Sequence, residues 1–532
     1  MPRLASDATL KKTVDAQERI ADALERLDAT RTLAPVWDAD AGEFTVDSIK
    51  AWLDANCDGK VYAVDQPLGA AQACEKALAN AGFPAPTPAT LAQPGNDPYR
   101  DLGPFRWVHV NATVDDAGVP HVTGMQPFGN FSYTDGRDVF ALAPVRYVSH
   151  KMVDGKYRTA VSDRPHVGML PEERSVRPDG TVVPFMLRAA FAASKGADGK
   201  PRSVAGAKLW NLDCSHNAML EACKKKGAAY SGYTQADWDY LYECFLLKYA
   251  NKSSQTVFAG CSGHTEQGPV TVAGDNVATV TVAKATAQNW PIGSAVMVGS
   301  ATGKAPDRGD SAAHDIASKA NIVSKAVDGD NVVLTLDCGP VTTEVGQYVS
   351  TAPWNPGSCR GLATDGSPYD PKSGREPCMV QGIEAMLGAY ETLGDALAKG
   401  TAEEGWGLYL VDTSKASTDV TSDYKRVYTY LDKEADGESY PAAMVKAEAA
   451  LVPASFGAST SLGVGDGVWY HGKSTTGTRQ VLVFGRLGGG GSAGFRRANL
   501  GNGPGGAGWN GASRVSVDGR NGVNPAEQPQ AA

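Results

Sequence analysis

Glycine accounts for 12 of the 29 residues from Gly485 to Ser513, and this concentration limits what the stretch can form. Ordering glycine backbone costs more entropy than ordering any other residue, so a long regular helix or strand is excluded here. Strand-like runs lie on both sides, QVLVFGRL at 480–487 and RVSV at 514–517. Two interpretations stay open: a disordered linker, or an ordered loop that presents binding residues on a rigid scaffold. We favour the ordered loop.

Hydrogen-bonding and aromatic side chains are spaced along this loop. Asn, Arg and Trp side chains supply polar contacts and flat apolar area, which suit recognition of a sugar or a protein surface. Trp509 could equally be a core residue that closes the fold, and we expect Arg514 to be structural. The side chains of interest are Arg496, Arg497, Asn499, Asn502, Trp509 and Asn510.

The length and charge of the chain exclude several classes of protein. With 532 residues it is long enough for several domains with separate cores. A net charge of −9 argues against nucleic-acid binding, which needs clustered Lys and Arg. No apolar run reaches the ~20 residues that cross a bilayer, so we expect no membrane insertion. The N-terminus lacks the apolar core of a signal peptide, so a simple secreted protein is not expected.

The N-terminal segment, residues 1–34, predicts a helix. Over residues 7–31 apolar side chains recur at heptad spacing, which indicates a short coiled coil that sets the oligomer number. An amphipathic helix docked on its own domain explains the pattern equally well. The seam of the coiled coil would consist of Leu10, Ile20, Leu24 and Leu27.

Residues 35–204 predict a β-rich mixed domain. Helices are expected at 44–56 and 70–82, with a strand at 60–64 between them and short β-rich runs afterwards. The intervening DANCDGKVYAVD partly matches a calcium loop, although its last position is not the usual Glu. A turn between helix and strand explains the same residues. The weak calcium candidates are Asp54, Asn56, Asp58 and Asp65.

The middle of the chain predicts one buried helix and one all-β module. Residues 231–255 carry apolar side chains at helical spacing, with Thr234 as N-cap and Asp237 at the capping-box position. Strand-like runs separated by turn glycines over 268–352 predict a compact module, inserted into the domain that starts near Lys208. Beyond it we expect an apolar turn around 383–397 and then a strand at 405–412.

Three separated segments resemble a known pattern. TQADWDYLYECFLLKYA (234–250) is similar to the E-W-E-Y-A helix of the formylglycine-generating-enzyme type of C-type-lectin fold. MVQGIEAMLGAYETLGDAL (379–397) and LGGGGSAGFRRANLGNGPGGAGWNGASRVS (487–516) resemble two later segments of phage-encoded members of that fold. The chain thus resembles phage tail receptor-binding proteins, such as the major tropism determinant and the variable proteins of diversity-generating retroelements.

The resemblance implies a fold. It implies an α+β, multidomain protein whose C-type-lectin-like domain (205–267 and 353–520) is interrupted by the β module (268–352). The β-rich mixed domain and the N-terminal helix precede this domain, and a flexible tail (521–532) follows it.

The resemblance also implies a function. In such proteins the loop equivalent to 485–514 contacts the receptor, which assigns receptor binding to Arg496, Arg497, Asn499, Asn502, Trp509 and Asn510. The expected partners are a bacterial cell-surface receptor, either glycan or protein, and other phage tail proteins. The resemblance further implies a homotrimer in the virion tail, made in the host cytoplasm.

Enzymatic alternatives find little support in the residues. A formylglycine-generating-type oxidase needs reactive cysteines close to the C-terminus, and the last cysteine is Cys378. A tail-associated glycan hydrolase needs a pair of carboxylates, and the sequence marks out no such pair. The WNP at Trp354 and the WNG at Trp509 lack the aspartate of lectins that bind sugar through calcium. We therefore expect a binding protein and no enzyme.

Metal sites, cofactors and a disulfide framework are not expected either, apart from the calcium candidate. The nine cysteines contain no CxxC pair, and the eight histidines form no HxH or HExxH cluster. We predict mostly buried free thiols. Pairing of Cys57 with Cys74, or of Cys359 with Cys378, stays open.

Overall fold

The computed structural model describes residues 34–177, 180–301, 311–359, 366–431, 433–457 and 459–517. Strands make up 39% and helices 12%, so the protein is mostly β and the predicted α+β class is wrong. The predicted N-terminal helix, with its seam Leu10, Ile20, Leu24 and Leu27, lies outside the described residues, and so does the predicted tail 521–532.

The strands and helices are numbered in chain order. The first strands are β1 (Trp37–Asp38), β2 (Glu43–Phe44), β3 (Tyr62–Gln66), β4 (Glu75–Leu78), β5 (Val108–Val114), β6 (Pro120–Met125), β7 (Val139–Ala143), β8 (Tyr147–Val153), β9 (Lys156–Ser162), β10 (Leu170–Pro171), β11 (Met186–Ala189), β12 (Ser194–Lys195) and β13 (Pro201–Arg202). The next are β14 (Tyr230–Gly232), β15 (Gln267–Val272), β16 (Gly274–Val277), β17 (Thr279–Ala283), β18 (Ala295–Gly299), β19 (Ala317–Asp328), β20 (Asn331–Leu336), β21 (Val341–Thr343) and β22 (Tyr348–Ala352). The last are β23 (Cys378–Val380), β24 (Ile383–Ala385), β25 (Tyr390–Thr401), β26 (Gly405–Leu410), β27 (Lys425–Thr429), β28 (Gly437–Ala447), β29 (Ala450–Gly457), β30 (Val468–Tyr470), β31 (Gly477–Val483), β32 (Ala498–Asn499), β33 (Gly511–Ala512) and β34 (Val515–Val517). The helices are α1 (Val46–Ala55), α2 (His216–Lys226), α3 (Gln235–Tyr249) and the short α4 (Lys284–Ala287).

An eight-stranded sheet joins the two ends of the described chain. Its strand order is β1-β2-β6-β5-β7-β11-β34-β14, so the last described strand lies inside a sheet built mainly from the first third of the chain. In this register Ser516 of β34 pairs with Arg188 on one side and with Ser231 on the other. Strands from both sides of the domain boundary predicted at residue 204 therefore belong to one sheet.

A five-stranded sheet, with order β10-β8-β9-β3-β4, contains a segment that the sequence misassigns. A helix is expected at 70–82, but β4 lies there and pairs antiparallel with β3, Tyr62 opposite Leu78. Local helix propensity in AAQACEKALANAG is a weak preference, and pairing with a strand that is already buried on both faces overrides it. The helix expected at 44–56 is confirmed as α1.

Six of the eight strands between Gln267 and Ala352 close a barrel in the order β15-β17-β20-β19-β18-β22, and β16 pairs with β21. Alternate residues of β20, namely Val332, Leu334 and Leu336, are buried in its interior, as the period of two in a strand requires. Trp290 is completely buried among them. The barrel spans the stretch in which the sequence predicts an all-β module.

A nine-stranded sheet carries the C-terminal part of the chain. Its order is β27-β26-β25-β31-β32-β30-β28-β29, with β33 paired to β25. The apolar turn expected around 383–397 is wrong, because this segment forms β24 and the first part of β25. Long-range pairing of β25 with β26 and β31 gives the segment its strand form.

Helix α3 lies in the core between the five-stranded and nine-stranded sheets. The prediction of a buried helix is confirmed: Thr234 caps it by accepting a hydrogen bond from the backbone N–H of Asp237 at 3.2 Å. Its aromatic and aliphatic side chains share one apolar cluster with Val64 and Val161 on one side and Val481 and Val483 on the other. None of the helices in the described ranges is long and apolar enough to span a membrane.

All nine cysteines lie in the described residues, and none of them forms a disulfide bond. Six of them are buried and Cys338 is exposed, so the prediction of mostly buried free thiols is confirmed. Neither Cys57 with Cys74 nor Cys359 with Cys378 forms a disulfide.

The buried Arg514 yields a test of how the two large sheets are joined. Its guanidinium forms an ion pair with Glu391 of β25 at 2.8 Å and donates to the carbonyls of Ala189 and Glu384 at 3.1 and 2.6 Å. Because Arg514→Ala leaves a buried carboxylate unpaired, we expect the free energy of unfolding in urea to fall by about 3–5 kcal/mol. The exposed Arg486→Ala in the same loop is the control and should change it by less than about 0.5 kcal/mol. Equal losses in the two variants would contradict this role.

Candidate ligand-binding site

The glycine-rich loop 485–513 is held in place by its own apolar side chains. Leu487, Phe495 and Leu500 are completely buried, and between them lie only a 3₁₀ turn (Gly490–Ser492) and the short β32. Gly494 has φ +150°, and a Cβ there would lie 2.1 Å from Oδ1 of Asp466, so no larger residue fits. The loop is therefore an ordered part of the fold and not a linker.

Two parallel strand pairings place the loop against the nine-stranded sheet. Strand β32 runs parallel to β30, with Asn499 beside Trp469, and β33 runs parallel to β25, with Gly511 beside Tyr390. The backbone N–H of Tyr390 also donates to the carbonyl of Asn510 at 2.8 Å. These pairings bring side chains from distant parts of the chain around one depression.

We call this depression the C-terminal cleft. Its volume of about 510 Å³ lies within the range of about 300–1,000 Å³ that is usual for small-molecule sites. Its lining is mostly polar, unlike the apolar lining of most such sites. The lining residues are Tyr390, Glu438, Trp469, Arg486, Gly488, Gly489, Arg497, Asn499, Asn502 and Asn510.

Four of the six loop residues assigned to receptor binding lie together in the cleft. They are Arg497, Asn499, Asn502 and Asn510. Asn499 is half-buried, its Oδ1 accepting from the backbone N–H of Gly501 at 2.9 Å, whereas Asn502 is exposed.

Arg496 and Trp509 do not line the cleft. Arg496 is buried, with Nη1 2.8 Å from Oδ1 of Asp239 and the guanidinium 3.6 Å from the ring centroid of Trp238. Trp509 is half-buried and packs against two apolar clusters, one of which contains Met297 of the barrel. Both side chains contact the core, so a change at Arg496 would disturb the fold itself.

A charged pair is part of the lining of the cleft. Arg497 is ion-paired with Glu438, which also accepts hydrogen bonds from Tyr440 Oη at 2.8 Å and Ser492 Oγ at 2.7 Å. Partial burial on its own would raise the pKa of Glu438, but the hydrogen bond from Ser492 and the charge of Arg497 outweigh it and lower the pKa. Glu438 is therefore ionised at neutral pH and neutralises Arg497.

The lining also contains polar side chains that are not used within the fold. Within the described residues, the side chains of Arg486, Asn502 and Asn510 make no hydrogen bond or ion pair. Arg486 is exposed, and its guanidinium carries five donors in a planar arrangement. Donors and acceptors that the fold leaves unused are available to a ligand.

Sequence reasoning missed four residues that line the cleft: Tyr390, Glu438, Trp469 and Arg486. The first three lie on strands outside the loop, and the pairing of β25, β28 and β30 within the nine-stranded sheet brings them to it. Arg486 could have been found, because it is a charged residue at the start of the glycine-rich loop.

The weak calcium candidates do not form a metal site. Asp54 is paired with Lys50 and Arg164, and Asp65 accepts two hydrogen bonds from Arg158 at 2.6 Å. Asp58 accepts from the backbone N–H of Lys60 at 2.9 Å, and Asn56 ends α1. Among the described residues no group of three His, Cys, Asp or Glu side chains could hold a metal ion. The turn interpretation accounts for these contacts.

Comparison with known proteins assigns the chain to no family. No protein-family model matches it, and no match is found among curated proteins. The resemblance of three segments to phage tail receptor-binding proteins therefore stays a prediction, and function has to be inferred from the geometry of the cleft.

Asp466 is a completely buried carboxyl group beneath the loop. Its Oδ2 accepts from the backbone N–H of Arg496 at 2.7 Å, and its Oδ1 accepts from Nε2 of Gln255 at 3.3 Å. Burial raises the pKa of Asp466 to about 7, although these hydrogen bonds and the charge of Arg496 lower it. Asp466 is thus protonated in the folded protein at pH values where an unfolded chain has lost that proton.

The raised pKa of Asp466 predicts how stability depends on pH. An aspartate in the unfolded chain has a pKa of about 3.9, so the stabilising contribution is complete below pH ~4 and is lost as the pH rises to about 7. We expect the unfolding free energy of the wild type, minus that of Asp466→Asn, to fall by a few kcal/mol over this interval and to level off above it. Urea denaturation of both proteins at several pH values measures this difference. A difference that does not change with pH would contradict the assignment.

Proposed function

We propose that this protein is a phage tail receptor-binding protein, an adhesin, whose C-terminal cleft binds a saccharide on the bacterial surface. One observation carries the proposal: the cleft presents the unused side chains of Arg486, Asn502 and Asn510 on a loop fixed between strands. Assembly as a homotrimer, location in the virion tail and contact with other tail proteins follow from the resemblance and belong to the same proposal.

The chemistry of the lining favours a sugar over an apolar ligand. Amides and guanidinium groups match the hydroxyl-rich edge of a sugar, because each hydroxyl both donates and accepts hydrogen bonds. Trp469, which is half-buried, adds aromatic surface to the same lining, and such a surface suits the apolar face of a pyranose ring. An apolar ligand would leave these polar groups unpaired and dehydrated, which is unfavourable.

The rigidity of the site supports binding. The loop is paired to β30 and β25 before any ligand arrives, so little backbone entropy is lost on association. The ion pair between Glu438 and Arg497 likewise fixes these two side chains before a ligand binds. A preorganised polar cleft favours ligands whose polar groups match its fixed geometry.

The cleft also favours binding over hydrolysis. Glycoside hydrolysis generally uses two carboxyl groups on either side of the scissile bond. Among the residues that line the cleft, Glu438 alone has a carboxyl group, and its lowered pKa makes it a poor proton donor. We therefore propose that the ligand is held and not cleaved.

Replacing two of the unused amides tests the proposal. The double variant Asn502→Ala/Asn510→Ala removes hydrogen bonds of about 0.5–1.5 kcal/mol each, so we expect binding to weaken about 5- to 150-fold. The measurement is binding of the purified full chain to an array of bacterial capsular, lipopolysaccharide and teichoic saccharides. Thermal unfolding should be unchanged, since neither side chain bonds to a described residue.

A matched control removes two exposed amides elsewhere. Gln288 and Asn289 lie on the barrel surface outside the cleft, and Gln288→Ala/Asn289→Ala should bind as the wild type does. The proposal fails if the wild type binds no saccharide on the array, or if the cleft variant and the barrel variant bind equally well.

A further inference from the structure

We propose that the C-terminal cleft selects a saccharide that carries an anionic group, a carboxylate or a phosphate, and that Arg486 is the residue that recognises this group. This inference rests on the proposed saccharide binding and deepens it. The observation behind it is the unequal distribution of charge inside the cleft.

The cleft has one cation more than it has anions. Three of its lining residues are charged: Arg486, Arg497 and Glu438. Arg497 and Glu438 form an ion pair and neutralise each other. Arg486 is left without a counter-charge in the described part of the chain, so the cleft has a net charge of about +1 inside a protein of net charge −9.

The position of Arg486 is fixed at its backbone. The carbonyl of Arg486 accepts from the N–H of Gly489 at 2.8 Å, which closes a tight turn. The next residue, Leu487, is completely buried and its N–H donates to the carbonyl of Gly388 at 3.0 Å. Arg486 therefore extends from an anchored turn, and its side chain needs little more than a choice of rotamer to meet a ligand.

A guanidinium matches carboxylates and phosphates in particular. Its planar donors form two parallel hydrogen bonds with either group, and such charge-assisted bonds are about twice as strong as neutral ones. A neutral sugar would satisfy some donors of Arg486 but would gain nothing from its charge. Asn502 and Asn510 lie in the same cleft and would hold the hydroxyl groups of the ring that bears the anion.

The test compares matched saccharides that differ only in charge. The carboxylate arm uses a uronate-containing capsular oligosaccharide and its carboxyl-reduced form, and the phosphate arm uses a glycerol-phosphate-substituted oligosaccharide and its dephosphorylated form. We expect the full chain to prefer the anionic member of at least one pair by about tenfold or more. The preference should shrink as the salt concentration rises from about 50 to about 500 mM.

Three variants test whether Arg486 is the residue that recognises the anionic group. Arg486→Gln should lose the preference, because the affinity for the anionic saccharide should fall far more than the affinity for the neutral one, and Arg486→Lys should keep part of the preference because the charge remains. Lys225→Gln removes the same charge from the exposed end of α2, outside the cleft, and should bind as the wild type does. Thermal unfolding of all three should match the wild type.

The possible failures can be told apart. If the wild type binds neither member of any pair, saccharide binding itself is wrong. If the wild type binds the neutral and anionic forms equally, or if Arg486→Gln keeps the preference, saccharide binding stands and the role of Arg486 is overturned.

Discussion

Helix α3 is buried on every side, yet it carries charged side chains that all need partners inside the protein. Removing a partner from a buried ion pair is destabilising, so each pair fixes the segment that supplies the partner. The partners come from four separate segments of the chain. The pairs are Asp237 with Arg174, Asp239 with Arg496, Glu243 with Arg146, and Lys248 with Asp97.

One of these pairs sets the position of the cleft. Arg496 reaches inward to Asp239 of α3, while its neighbour Arg497 reaches Glu438 at the cleft. A buried ion pair in the core thus holds the backbone from which a ligand-facing residue extends. This explains why two adjacent arginines, which look equivalent in the sequence, have different roles: one stabilises the fold and the other shapes the cleft.

Local sequence patterns correctly predicted the elements whose structure depends on residues close by in the chain. Thr234 as a cap and the apolar spacing behind it were sufficient for α3, and the glycine content of 485–513 was sufficient to find the loop. The same reasoning failed at 70–82, where the partner strand β3 decides the structure. It also missed Tyr390, Glu438 and Trp469, because their place in the cleft depends on strand pairings that no local pattern encodes.

The two ends of the loop explain how a glycine-rich segment can serve as a binding surface. It leaves the nine-stranded sheet at β31 and enters the eight-stranded sheet at β34, so its ends cannot separate unless one of the sheets loses a strand. Between these anchors, glycines allow tight turns and a few buried side chains fix the path. Arg486, Asn502 and Asn510 make no side-chain bonds within the described structure, so they can change without loss of the fold. Arg496 and Arg514 cannot, because each neutralises a buried carboxylate. The loop therefore separates residues that maintain the structure from residues that are free to adapt to a ligand.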